Sequence, residues 1–444
     1  MSEIRVRFAP SPTGKVHIGN IRAAIYNWLY ARHTGGKFLL RVEDTDLERS
    51  TPEAIAALLD CMEWMGLDYD EPAVYQTKNL QRHLECVEKL LASGRAYKAE
   101  RTSRDGKTGE VVMFKMPKEG VLAYEDLVKG HMEKKAEDVP DFAIVRSDGS
   151  PIFHLANVVD DIDQRITHVI RGDDHVENTF KHLELFRALG AEPPQYGHLP
   201  MIVNAQGRPY SKRDGAAFVG EFREQGYLPE ALFNYLLLLG WNPGDDREVL
   251  TRDEMVSLFT LESCHRTPAK FDVKKLQWMN GEYVRRLPRD TFKAECLGRL
   301  AEGGVDVAAF NAANPSFDWD LFIDQMQVRT KFLKDLPGNC LYFFRDDYEF
   351  DPKAVEKRLA KPGTRTLLED LAARFEALEP FTVEAGEAMV KGLAGDQGMG
   401  SWVHPIRVAV SGRQDGPGLF EMLVLLGRDR TVRRLRDAAA KYAG

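Results

Sequence analysis

At 444 residues, with 43% hydrophobic and 29% charged positions, the chain has the composition of a globular protein of about two to four domains, which excludes fibrous and disordered classes. Its formal net charge of −8 weighs against a protein that coats nucleic acid along its whole surface, although a local basic face on an acidic body is compatible with it. The opening "MSEIRVRFAP" has no apolar h-region, and the longest apolar stretch, Ala231–Trp241, is far too short to span a bilayer, so a cytoplasmic location and no membrane contact are expected.

Ile4, Val6 and Phe8 alternate with Arg5 and Arg7, the period of a half-buried strand that sets both arginines on one face. After the loop "APSPTGKVHIGN", Asn20 is expected to cap a helix in which Ile21, Ala24, Ile25, Trp28 and Leu29 recur at helical spacing until Gly35 and Gly36 end it. "KFLLRVEDTD" reads as a second strand, completing a β-loop-α-β unit. Helical patterns run from Pro52 to about Gly94, and residues 96–140 turn irregular and charged, as expected of an insertion. Strand-like runs return in "DFAIVRSDG", "IFHLANVVDD" and "ITHVIRGDD", followed by a helix through "NTFKHLELFRALG" and a strand and turn in "HLPMIVNAQGRPYSKRDG". This alternation predicts one parallel α/β domain interrupted by the insertion, and from about Gly220 onward a series of helical modules. Cys61, Cys86, Cys264, Cys296 and Cys340 stand apart with no CxxC pair, which predicts buried structural thiols rather than a metal or redox site.

In a parallel α/β sheet, ligands sit at the carboxyl ends of the strands, where a helix N-terminus offers unpaired N–H groups to an anion. The loop Ala9–Asn20 lies at that place: Gly14 and Gly19 permit a nucleotide to approach the backbone, and His17 can donate a hydrogen bond to a phosphate. On spacing alone, a histidine that only caps the helix accounts for the loop equally well. Neither a Walker loop nor GxGxxG is present. Further on, "GRPYSKRDG" places Ser211, Lys212 and Arg213 in a Gly-bounded loop suited to closing over a polyphosphate; in isolation the same loop is compatible with a solvated basic turn.

In this order the two loops resemble the His-Ile-Gly-His and Lys-Met-Ser-Lys-Ser signatures of the class I aminoacyl-tRNA synthetases, here "HIGN" and "PYSKR". The flanking "RFAPSPTGKVHIGNIRAAIYNWLYAR", "GGKFLLRVEDTDLERS", "VVDDIDQRITHVIRGDDHVENT", "YLPEALFNYLLLLGW", "FDVKKLQWMNGEYVR" and "PIRVAVSGRQDGPGLFEMLVLLG" are similar to bacterial glutamyl-tRNA synthetases over nearly the whole chain, most weakly across 96–140 and 340–400. The resemblance implies an α/β fold: a Rossmann-like parallel-sheet catalytic domain in two halves, 1–75 and 154–219, around an inserted acceptor-binding module at 76–153. An α-helical stem-contact domain at 220–315 and an α-helical anticodon-binding domain at 316–444 would follow. The implied substrates are ATP with Mg2+, L-glutamate and tRNA(Glu), with tRNA(Gln) open as a second acceptor, and the implied state is a monomer.

By matching motifs, the resemblance implies Arg7 as the partner of the substrate γ-carboxylate, Ser11 and Glu43 of its α-ammonium group, and Asn157 and Arg171 of its α-carboxylate, with Phe153 in the same pocket. Thr13, Gly14, His17, Gly19, Asn20, Asp174, Ser211 and Lys212 are the implied ATP contacts, and His17, Lys212 and Arg213 the implied stabilisers of developing charge. Three departures stand out. Phe153 replaces a family tyrosine, which leaves side-chain recognition to Arg7 with help from His154 or a water. Pro209 and Tyr210 replace a lysine and a small apolar residue, with Arg208 as the compensating cation, and Asn20 replaces the second histidine. Residues 96–140 hold no cysteine and one histidine, His131, so the structural zinc of some relatives is not expected.

For the tRNA phosphates, "VRTKFLKD" around Arg329–Lys334 and "GRDRTVRRLRDAAAKY" offer cations as patches, although each residue taken singly reads more simply as helix-surface charge. Arg358 is a candidate for reading the anticodon. The rivals are a nucleotide- or tRNA-binding paralogue without ligase activity, motivated by Pro209 and Phe153, a glutaminyl enzyme, disfavoured by the all-helical tail, and a short paralogue, disfavoured by the helical region after Arg286.

Overall fold

The alternation at the start of the chain forms a strand, β1 (Arg5–Phe8), with Val6 and Phe8 buried. The computed structural model describes residues 3–12, 14–46, 49–102, 108–395 and 398–443. It divides into two units, Met1–Met279 and Asn280–Gly444.

In the first unit, α1 (Ile18–Thr34) begins before Asn20, and the expected Asn20 cap is corrected: His17 is the N-cap, extended at φ −74° and ψ 147°, with its ring accepting the Gly19 amide. An imidazole nitrogen at this position reaches the second free N–H of the helix as a serine oxygen would. Gly35 ends α1 in the left-handed region at φ 66°, and a Cβ on Gly36 would lie 2.4 Å from the Ile4 carbonyl oxygen, so this glycine lets β2 (Lys37–Val42) start hard against β1. The two strands are parallel, with Arg5 beside Lys37 and Phe8 beside Leu40. Next come α2 (Pro52–Trp64), β3 (Val74–Tyr75), parallel to β2, and α3 (Leu80–Ala92).

The stretch expected to be irregular is β structure. β4 (Ala96–Thr102) pairs antiparallel with β5 (Thr108–Phe114), which pairs with β8 (Phe142–Val145), and between them β6 (Val121–Asp126) and β7 (Gly130–Lys135) form a hairpin. Its charges hid the strands because they occupy a solvated face and pair across it, as Lys98 Nζ does with Glu110 Oε1 at 2.9 Å.

A second correction concerns "IFHLANVVDD", which is not a strand but the helix α4 (Phe153–Asp163). Leu155, Val158, Val159 and Ile162 recur at helical spacing and pack in one core with Phe180, Leu185 and Phe186 of α5 (Val176–Ala188), and this tertiary burial outweighs the strand propensity of two valines. β9 (His168–Gly172) precedes α5, and β10 (Gln195–Leu199) and β11 (Ile202–Val203) follow it. β10 runs parallel to both β9 and β6, so one strand of the insertion belongs to the second parallel block. The two blocks meet where the Thr167 amide donates to the Arg5 carbonyl at 2.9 Å and the Arg5 amide donates to Thr167 Oγ1 at 2.8 Å. Then follow α6 (Val219–Glu224), α7 (Pro229–Leu238), α8 (Arg252–Leu258), β12 (Ala269–Lys270), parallel to β11, and α9 (Val273–Arg286), which runs across the division.

The second unit is helical: α10 (Arg289–Glu302), α11 (Val307–Ala313), α12 (Trp319–Arg329), α13 (Leu336–Cys340), α14 (Pro352–Arg358), α15 (Thr364–Ala377), α16 (Val383–Ala394), α17 (Gly400–Ser411), α18 (Leu419–Leu426) and α19 (Arg428–Tyr442). The arginines of α19 divide between one held in the interior and others in ion pairs at the surface. Arg434 is buried and donates to the carbonyls of Val410, Tyr342 and Arg345, Arg433 pairs with Asp346, Arg436 with Glu376 and Arg428 with Glu379. Lys331 and Lys334, after α12, are exposed. All five cysteines are buried, as expected.

Candidate active site

A cavity of about 510 Å³ opens beyond the carboxyl end of β1. Arg7, on that strand, is buried, and its Nε donates to Asp161 Oδ1 at 3.1 Å. The same oxygen takes Arg41 Nη1 at 2.5 Å, so one carboxylate holds two guanidinium groups. Burial pushes the Asp161 carboxyl up, but Arg41 and Arg7 outweigh it and hold the group below the usual carboxylate range. Asn157 Nδ2 donates to Glu43 Oε1 at 2.7 Å, and Arg41 Nη2 lies 3.5 Å from the same oxygen. Here burial prevails and raises the Glu43 carboxyl above its ordinary value despite Arg41 and Arg7. Arg171, on β9, donates from Nη2 to Thr179 Oγ1 at 2.7 Å and from Nε to His198 Nε2 at 3.2 Å.

The phosphate side is built on α1. His17 Nδ1 accepts the Gly19 amide at 3.0 Å, and burial lowers the ring's pKa, so the neutral imidazole carries its hydrogen on Nε2. A Cβ at Gly19 would sit 3.2 Å from the His17 ring, which accounts for the glycine. Across from this loop, His17 bridges Phe218, the Ile18 amide donates to the Ala217 carbonyl at 2.9 Å, and the Val219 amide donates to the Val16 carbonyl at 3.0 Å. The His17 loop is therefore joined backbone to backbone to the strip Ala217–Val219, which follows the later loop directly. Asp214 fixes the later one: its Oδ2 accepts the Ser211 amide at 2.9 Å and its Oδ1 accepts Asn204 Nδ2 at 2.8 Å.

Of the residues expected from sequence, Arg7, Ser11, Glu43, Phe153, Asn157 and Arg171 all line this cavity, and so do His17, Gly19, Asn20 and Asp174. Gly14, Ser211, Lys212 and Arg213 do not line it, although Pro209 and Tyr210 of the same loop do, and Lys212 and Arg213 are exposed. Thr13 lies outside the described residues. Beside Phe153 it is His175, not His154, that reaches the cavity, with ring centroids 5.8 Å apart; His154 instead meets His182, Nδ1 to Nε2, at 3.1 Å. Sequence reasoning missed Asp161, Arg41 and Arg22, which lines the cavity from α1 while its Nη1 donates to the Leu239 carbonyl at 2.6 Å. The signal for Asp161 was its spacing of four from Asn157, which puts both on one face of α4 once α4 is read as a helix.

Residues 3–108 and 101–278 match the family of class I tRNA synthetases (E and Q), catalytic domain, and residues 276–439 match an anticodon-binding domain. Glutamate–tRNA ligase 1 of Caldanaerobacter subterraneus subsp. tengcongensis is 37% identical to this chain, over 99% of it and 98% of the relative. The chain belongs to the glutamate–tRNA ligases. Another ligase of the family, glutamate–tRNA ligase 1 of Alkalilimnicola ehrlichii, is 40% identical over 99% of this chain and 98% of its own. The crystal structure of a glutamate–tRNA ligase from Elizabethkingia meningosepticum, in complex with its amino acid, covers 99% of this chain and 100% of that one, at a TM-score of 0.86 and 28% identity. Among the described residues of this glutamate–tRNA ligase, no helix is long and apolar enough to cross a membrane, and no group of three or more His, Cys, Asp or Glu is placed to hold a metal.

Proposed function

We propose that the cavity activates L-glutamate with Mg-ATP and passes the glutamyl group to the 3′ end of tRNA(Glu), in the cytoplasm and in a monomeric enzyme. The observation that carries the reading is that one cavity is lined both by Arg7, Glu43, Asn157 and Arg171 and by His17 and Tyr210 of the two signature loops. An oxygen of the glutamate α-carboxylate attacks the α-phosphorus in line, the bond to the bridging oxygen breaks, and pyrophosphate leaves. A ribose hydroxyl of the terminal adenosine then attacks the activated carbonyl and AMP departs. Neither step needs a protein nucleophile, so rate comes from positioning and charge stabilisation.

Arg7 pairs with the γ-carboxylate, Ser11 and Glu43 take the α-ammonium group, and Arg171 with Asn157 takes the α-carboxylate. His17 donates from Nε2 to a phosphate oxygen, helped by the amides around Gly19, with Gly14, Asn20, Asp174 and Ser211 completing the ATP site. Lys212 and Arg213 are exposed on a loop whose Pro209 and Tyr210 line the same cavity as His17, which suits them to closing over the departing pyrophosphate. The subdivision into a catalytic domain (1–75 and 154–219), an acceptor-binding module (76–153), a stem-contact domain (220–315) and an anticodon-binding domain (316–444) belongs to the same reading.

ATP–pyrophosphate exchange dependent on glutamate, run with and without tRNA, tests it. His17→Ala should lower the exchange rate about 100-fold while the glutamate KM stays within about twofold. Absence of exchange in the wild type under both conditions overturns the ligase reading, and a His17→Ala effect confined to melting temperature reduces His17 to a cap. Charging of tRNA(Glu) and tRNA(Gln) transcripts side by side defines the acceptor range.

A further inference from the structure

Arg171 is buried, yet among the described residues its hydrogen-bond partners are all neutral: His198 Nε2, Thr179 Oγ1 and the His175 carbonyl. The nearest negative charge along this network is one imidazole away. His198 Nδ1 lies 2.5 Å from Asp126 Oδ2, with both side chains fully buried. Donor and acceptor chemistry fixes the proton: Arg171 Nε can only donate, so His198 Nε2 accepts and the ring hydrogen sits on Nδ1, aimed at Asp126. Asp126 Oδ1 meanwhile accepts the amides of Val128 at 3.0 Å, Lys129 at 2.8 Å and His198 at 3.2 Å. Asp126 closes β6, the strand of the inserted hairpin that pairs with β10, and His198 stands on β10.

A carboxylate touching Arg171 directly would take up donors of the guanidinium that an anionic substrate group could otherwise use. A carboxylate acting through a neutral imidazole orients the guanidinium and leaves its charge for the substrate. We propose that His198 and Asp126 are positioning residues that aim Arg171 at the glutamate α-carboxylate, so that the inserted hairpin is a working part of the amino-acid site. The inference rests on the reading of Arg171 as the α-carboxylate partner.

Two amide replacements separate positioning from simple tying of the hairpin. His198→Asn places a donor where Nδ1 stood, which keeps the Asp126 contact and removes the one to Arg171. His198→Gln places an oxygen at the reach of Nε2, which keeps the Arg171 contact. In ATP–pyrophosphate exchange with the full-length enzyme and tRNA, His198→Asn and Asp126→Ala should raise the glutamate KM about tenfold with the ATP KM within about twofold, while His198→Gln stays within about threefold of wild type. A merely structural pair gives the opposite ranking, with His198→Gln the worse variant and melting temperature falling in step. That ranking, or KM values for both substrates rising together, overturns the proposal. Arg171→Gln separates the two failures: if it leaves the glutamate KM unchanged, the reading of Arg171 is wrong, and if it alone raises that KM, only the relay is wrong. Where His198→Asn melts below the assay temperature, Asp126→Ala decides by the same comparison of the two KM values.

Discussion

Asp161 is 2% exposed and lies between Arg7 and Arg41, so removing either arginine leaves the carboxylate with one guanidinium partner in place of two, at a cost of about 1–3 kcal/mol. Arg41, which does not line the cavity, thus supports it from behind through Asp161 and Glu43. Phe153 stands where the resemblance to the family implies a tyrosine. Its ring fills the corner between His175 and His182, 5.8 Å from each, and brings no hydroxyl to the cavity. Phe153→Tyr should lower the glutamate KM about threefold to tenfold by adding one hydrogen bond to a charged group, and an unchanged KM would mean that the hydroxyl is not missed. The lining residues named from motifs were legible because they fall in runs that resemble the family's signatures, whatever their own chemistry. Asp161 was not, because two adjacent acids in "VVDD" look like surface charge until the helix that buries them is known.

At the scale of elements, the packing of α4 against α5 has a pH dependence of its own. Burial brings His154 down to about 4 and His182 well below its ordinary value, chiefly by denying the charged form its solvent, with nearby Arg171 adding to both. The folded state thus binds these protons later than the unfolded chain does. The contribution is complete above the ordinary histidine value of about 6.5 and is lost as pH falls from there towards about 4. Melting temperature should therefore drop by a few degrees between pH 7.5 and pH 5.5, a window above most carboxylate titration, and His182→Gln should shrink the drop; a flat profile would refute it. These elements also show what sequence pattern can carry. β1, α1 and β2 were readable because periodicity, glycine stops and tertiary burial agree. α4 was misread because two adjacent valines favour a strand while the helical spacing of Leu155, Val158, Val159 and Ile162 is decided by the core they join. The hairpins of the insertion were misread because cross-strand charge pairs look like a solvated loop in one dimension.

Over the whole molecule, the acidic excess directs tRNA contact to those cations that folding leaves outside. Arg434 is 3% exposed and holds three carbonyls, so Arg434→Ala should lower the melting temperature by several degrees and impair every assay alike. Lys331 and Lys334 are exposed, and replacing both with alanine should leave melting unchanged, raise the tRNA KM and flatten its salt dependence by about one to two phosphate contacts. Equal effects of the two changes on melting would contradict this division. The pairing of His17 with Phe218 bears on how such a chain comes to exist at all. Arg7, Glu43, Asn157 and Arg171 all precede Leu199 in the chain, whereas the strip that faces His17, from Ala217 to Val219, follows it. The charged residues of the cavity are thus made before the strip that seats His17, and the last step of assembling this end of the molecule is the closure of a loop about 200 residues long.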